Sequence, residues 1–172
     1  DPYLSRGLGD VYKRQPLKAA PLMQVNISQE QEKLRAAARE VAQGAIRSRA
    51  ADVDRTEEYP WDNVERLKDA GFLGMTIPKA YGGKDASWLD AVLLIEEMSK
   101  VCSVTGRIAV ETNMGAVSAI MAYGSEDQKR FAADMVLSGD KPAICITEPD
   151  AGSSAGEMTT RADLRGNRYV VN

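Results

Sequence analysis

The chain has 172 residues, 22 Lys plus Arg against 25 Asp plus Glu, a formal net charge of −3 and 44% apolar composition. That is enough apolar material for a real core, so intrinsic disorder is excluded, and the dispersed cations form no basic stripe for a nucleic-acid backbone. The chain contains no histidine, which removes serine-histidine and cysteine-histidine pairs and the commonest metal ligand, and no metal site is expected.

Residues 1–22 show neither helical nor alternating spacing and precede Met23; they read as a leader foreign to the fold, similar to translated adapter sequence. The longest apolar runs, such as Ala91 to Ile95, are far too short to cross a bilayer. With no secretory signal and only Cys102 and Cys145, far apart in sequence, a reduced, cytoplasmic setting is expected.

From Ser28 the pattern is helical. Ser28 with Gln31 forms a capping box, and Leu34, Ala38, Val41 and Ala45 share a face in a helix expected to end near Ala50. A second helix starts around Pro60, turns Val64 and Leu67 inward and stops at Gly71; the loop FLGMTIPKAYGG follows. Ser87 with Asp90 opens a third, with Trp88, Val92, Ile95 and Met98 or Cys102 inward. A fourth runs from about Thr105 to Tyr123, closed by Gly124, and Ser125 with Gln128 caps a fifth that carries Phe131 and Met135.

After Asp140 the period changes. PAICIT reads as a strand, EPDAGSSAG as turn chemistry, and EMTTRADL and NRYVVN as two strands joined around Arg165, Gly166 and Asn167. The fold class expected is α+β: an N-terminal all-α helical bundle over 23–140, then the truncated start of an antiparallel β domain over 141–172. Three short strands with open edges do not make a finished domain, so the sequence reads as a fragment.

The segment ICITEPDAGSS, Ile144 to Ser154, carries the chemistry. A strand delivers its end into a tight turn, Gly152 lets backbone N–H groups approach an anion, and Thr147 and Ser153 add hydroxyl donors. Such an edge suits a flavin ring that gains negative charge on reduction. As a turn alone the segment would be unremarkable, since Pro, Asp, Gly and Ser are the default turn residues.

Three landmarks in order alter that weighing: YPWDNVERLKDAGFLGMTIPKAYGG, SEDQK at Ser125 to Lys129, and ITEPDAGS at Ile146 to Ser153. From Met23 to Asn172 the chain resembles the acyl-CoA dehydrogenase family of flavoproteins. The resemblance implies an FAD enzyme that takes hydrogens from the α and β carbons of an acyl-CoA thioester and passes electrons to an electron-transferring flavoprotein. It implies that Thr147 contacts the pyrimidine side of the flavin, Ile144 offers a carbonyl to N3, Ile146 packs beside the ring, and Gly152 and Ser153 meet the pyrophosphate. Ser153 would also lie near the thioester. Family members commonly form tetramers whose FAD sites are completed across an interface.

Where the family usually has Asp after this serine, the chain has Ser154. The family's catalytic carboxylate lies beyond Asn172, so no catalytic residue is expected among these residues, and the fragment by itself is expected to be inactive. Two alternatives share the motif: an acyl-CoA oxidase, and a non-redox relative that keeps FAD and the thioester pocket but acts by another elimination or only binds.

Glu111 falls where some family members line the far end of the acyl cavity, although a helical glutamate is more often a solvated face. Glu96 and Glu97 are adjacent, do not face one another and read as surface charges. Glu148 reads as structural, and the two cysteines as small apolar residues. Trp88, Ile95, Met98, Ile108 and Ile120 read as core before ligand pocket.

Overall fold

A computed structural model describes residues 26–172. The leader at 1–22 and Met23 lie outside the described residues. Helix α1 (Gln29–Val41) passes through a π-helical turn (Ala42–Ile46) into α2 (Arg47–Thr56); then come α3 (Trp61–Asp69), α4 (Trp88–Ser99), α5 (Ser103–Asn113), α6 (Ala116–Tyr123) and α7 (Glu126–Ser138). An antiparallel hairpin follows, β1 (Ala162–Arg165) with β2 (Arg168–Val171), in the register Arg165 opposite Arg168. The helical bundle followed by a small antiparallel sheet is the α+β order expected.

Local chemistry sets most helix starts. The hydroxyls of Ser28, Ser87 and Ser125 each accept a bond from the backbone N–H of the third residue of the following helix, whose side-chain oxygen in turn accepts one from the serine N–H. Gln31 Nε2 also donates to Asp90 Oδ1 at 3.0 Å, so the caps of α1 and α4 are tied together. Two helices end on a left-handed glycine: after α3, Gly71 N–H donates to Lys68 O at 2.8 Å and Phe72 N–H to Leu67 O at 2.8 Å. The same pair of bonds closes α7 at Gly139 and Asp140.

The core is built where α1 packs on α4 and α4 on α5, around Ala38, Ile46, Leu67, Leu94, Met98 and Ile108. Gly106 makes the α4–α5 crossing possible: a Cβ there would lie 2.9 Å from Ser99 Cβ and 3.0 Å from its Cα. A smaller cluster of Ile77, Val117, Ala133 and Val136 joins α6 and α7 to the loop after α3.

Several expectations about the helices are corrected. The first helix does not stop near Ala50 but runs to Thr56, because the wide turn at Ala42–Ile46 rotates the stripe so that Ala42 and Ile46 are buried and Ala45 is exposed. The fourth helix is two, broken at Met114 and Gly115, because the Asn113 side chain is drawn back to clasp the loop after α3. On α4 the C-terminal part of the expected stripe holds, with Met98 and Cys102 buried and Ile95 packed against the core, but its start does not: Ala91 and Leu94 go inward while Trp88 is 57% exposed and Val92 lies outside. On α7 the small residues Ala132, Ala133 and Val136 go inward and Phe131 is 70% exposed. PAICIT forms no strand: β propensity needs a partner, and none pairs with it among the described residues.

Glu97 is a further correction, since its side chain is only 2% exposed. Arg39 of α1 grips it through two bonds, Nε to Oε2 at 3.0 Å and Nη2 to Oε1 at 2.9 Å, and Lys100 adds a third at 3.0 Å. The Arg39 bonds first, and then Lys100, hold the carboxyl down to about 2 despite its burial. A carboxyl whose folded pKa is depressed contributes stability above its unfolded pKa and loses it as pH falls through the folded one. Acidification from pH 5 to pH 2.5 is therefore expected to destabilise the chain by about 2 kcal/mol more than it does Glu97→Gln, a figure reduced because Arg39 and Lys100 are half exposed. Denaturant midpoints against pH check this; parallel profiles for the two proteins would contradict it.

Candidate functional site

The segment after α7 is extended and open. Lys141, at its start, donates to Tyr59 Oη at 3.1 Å and sits over that ring, 4.6 Å from its centroid, which pins the exit from the bundle. Ile144 is 56% and Ile146 53% exposed, and Cys145 and Thr147 are exposed too. Apolar side chains left this open have surface to give to a ligand or another part of a protein.

A tight turn follows. Glu148 N–H donates to Ala151 O at 3.0 Å and Ala151 N–H to Glu148 O at 3.2 Å, with Pro149 and Asp150 at the tip and Ala151 buried. Gly152 and Ser153 emerge from it exposed. A Cβ built on Gly152 meets nothing within 4 Å, so the space over this backbone is open to an incoming group. No partner among the described residues engages the Thr147 and Ser153 hydroxyls or the N–H groups of Thr147, Gly152 and Ser153. One short stretch thus presents free N–H and hydroxyl donors flanked by exposed isoleucines, a set that fits FAD: donors for phosphate and ring edge, apolar side chains for a ring face.

Glu148 itself is occupied. Its Oε2 accepts from Thr159 N–H at 2.9 Å and Thr159 Oγ1 at 3.0 Å, and its Oε1 from Thr160 N–H at 2.9 Å. The Thr160 bonds first, then those of Thr159, hold the carboxyl down to about 2. Its oxygens are taken up by hydrogen bonds within the loop.

The remaining sequence candidates fall elsewhere. Glu111 is not a solvated charge: its side chain is 13% exposed, folded over Gly115 and paired with Arg107 one turn back. Trp88 leaves the core to line a groove of about 260 Å³ with Thr76, Ile77, Val117, Ser118 and Met121. Sequence reasoning missed this groove, because its walls come from segments far apart in the chain.

The profile described as "Acyl-CoA dehydrogenase, N-terminal domain" matches residues 28–140. The chain is 60% identical over 139 residues to a 3-sulfinopropanoyl-CoA desulfinase of Variovorax paradoxus, covering 81% of this chain and 35% of that protein. It is 36% identical over 151 residues to a short-chain specific acyl-CoA dehydrogenase of Clostridium acetobutylicum, covering 87% of this chain and 40% of the relative. The crystal structure of an acyl-CoA dehydrogenase from Geobacillus kaustophilus superposes with a TM-score of 0.77 at 28% identity, over 86% of this chain and 39% of that one. The chain therefore spans little more than a third of the length of the curated relatives it matches. A profile match through all of α1 to α7, with fold and sequence agreeing across these relatives, places the chain in the acyl-CoA dehydrogenase family.

Proposed function

We propose that the full-length polypeptide is an FAD-holding acyl-CoA enzyme that removes the sulfinate group from a 3-sulfinoacyl thioester. The observation that carries this reading is the 60% identity to the Variovorax desulfinase, against 36% to the Clostridium dehydrogenase over a stretch of similar length. Within it, 23–140 is the helical domain and 141–172 the start of the β domain.

FAD, when bound, would supply a redox-active ring to the site. The chain's own contribution is binding and orientation. Thr147 would give a hydroxyl and N–H to the pyrimidine edge, Ile144 a carbonyl to the ring, and Ile146 a side chain beside it. Gly152 and Ser153 would give N–H groups to the pyrophosphate, with Ser153 also serving the thioester end. These residues are exposed and have no hydrogen-bond partner at these donors among the described residues, as this use requires. Glu111, which the resemblance puts toward the far end of the acyl cavity, has its charge neutralised by Arg107, so an anionic tail meets no unpaired carboxylate there.

The reaction balances without an external acceptor. The carbon–sulfur bond breaks, a carbon–hydrogen bond forms, and water supplies that hydrogen and the third oxygen of sulfite. Full-length enzyme given 3-sulfinopropanoyl-CoA and no electron acceptor is expected to release one sulfite per thioester consumed. Absence of sulfite would overturn the reading. A second reading, α,β-dehydrogenation with electrons passed to an electron-transferring flavoprotein, is favoured by the match to the Clostridium dehydrogenase and by ITEPDAGS. It predicts consumption of a short saturated acyl-CoA only when an acceptor is present.

A further inference from the structure

We propose that Glu148 is a positioning residue that fastens the loop carrying Gly152 and Ser153 and so sets their donors for the FAD pyrophosphate. The proposal rests on the flavin reading above. Its main chain closes the turn to Ala151, while its carboxylate reaches eleven and twelve residues onward to Thr159 and Thr160. One residue therefore holds both ends of the loop 149–158, within which the only regular structure is a single 3₁₀ turn (Ala155–Glu157).

Both carboxylate oxygens are needed. Oε2 takes the N–H and hydroxyl of Thr159, and Oε1 takes the N–H of Thr160, so all three bonds have an ionised acceptor and the strength that goes with it. A glutamine in this place has one acceptor oxygen, and its NH₂ would be turned toward an N–H donor. The loop has little else to hold it: Gly152 and Gly156 have open space around them, and residues 152–160 are exposed. Donors on an unfastened loop must be ordered when the ligand binds, and affinity falls by that cost.

The test uses the full-length protein and three forms: wild type, Glu148→Gln, and Thr159→Val, which gives up one hydroxyl bond and keeps both backbone donors. Amide hydrogen exchange at Thr159 and Thr160 without FAD, and the dissociation constant for FAD, are measured on each. Glu148→Gln is expected to speed exchange at both amides and to weaken FAD binding about 10-fold, and Thr159→Val to weaken it about 3-fold. Faster exchange in Glu148→Gln with unchanged FAD affinity would overturn the positioning role, since the fastening would then serve the fold alone. Unchanged affinity in Thr159→Val together with unchanged exchange in Glu148→Gln would overturn it as well. A wild-type protein that binds no FAD would instead sink the flavin reading itself, and the two failures are thereby told apart.

Discussion

Gly152→Val is expected to abolish FAD uptake, raising the dissociation constant by at least about 100-fold, while the thermal midpoint of the apoprotein stays within roughly a degree. The separation of the two effects comes from geometry. A Cβ on Gly152 meets no atom of the described residues within 4 Å, and its backbone is not in the left-handed region, so the valine clashes with nothing in this part of the fold. The same added carbon at Gly106 would press into Ser99 of the neighbouring helix. Among the described residues nothing lies in the way of the branched side chain, so what it is expected to obstruct is a ligand that approaches the backbone N–H groups closely. Fluorescence titration with FAD and a thermal scan check both halves. Full FAD occupancy in the variant would refute the assigned contact, and a lowered midpoint would show that the glycine serves the fold.

Asn113→Ala is expected to destabilise the helical domain by about 3 to 5 kcal/mol. Asn113 ends α5 fully buried, and its side chain works in both directions: Oδ1 accepts from Met75 N–H at 2.7 Å, and Nδ2 donates to Phe72 O and Ala109 O, each at 2.9 Å. Its own carbonyl accepts from the Thr76 hydroxyl. Truncation leaves a buried N–H and a buried carbonyl of the 72–76 loop unpaired, each costing about 1 to 3 kcal/mol, and adds a cavity beneath Phe72 and Met75. Asn113→Asp keeps the acceptor for Met75 but loses the donor and buries a charge, so it is expected to rescue little. Denaturant unfolding measures the loss; a change below about 1 kcal/mol in Asn113→Ala would show that the clasp is dispensable.

What the sequence disclosed and what it withheld separate by range. The three capping boxes and the glycine stops at Gly71 and Gly124 were legible because each is decided within a few residues. Gly139 closes α7 in the same way as Gly71. The burial of Glu97 was hidden because its partner Arg39 stands fifty-eight positions away on another helix. The break at Gly115 was hidden because its cause, the clasp of Asn113 on Met75, is likewise remote, while apolar residues resume on both sides of it at helical spacing. On α4 the aromatic Trp88 misled, since Ala91, Leu94 and Met98 fill the crossing and leave it outside.

The site divides in the same way. Ile144, Ile146, Thr147, Gly152 and Ser153 are local to one motif, and the structure brings them onto one open strip with its donors unspent. The fastening of that strip by Glu148 was not legible, because it depends on Thr159 and Thr160 folding back across the loop. Nor could the motif separate the two chemistries that the relatives represent, since a donor-rich flavin edge serves both. The separation lies in the fate of two electrons.

The measurement that tests the account most directly is therefore an electron count. Full-length holoenzyme is mixed anaerobically with 3-sulfinopropanoyl-CoA and an artificial electron acceptor, and reduced acceptor is counted against sulfite released. Sulfite formed with no acceptor reduced is the result predicted. One electron pair delivered for each thioester consumed, with no sulfite, would contradict desulfination and make the protein a dehydrogenase.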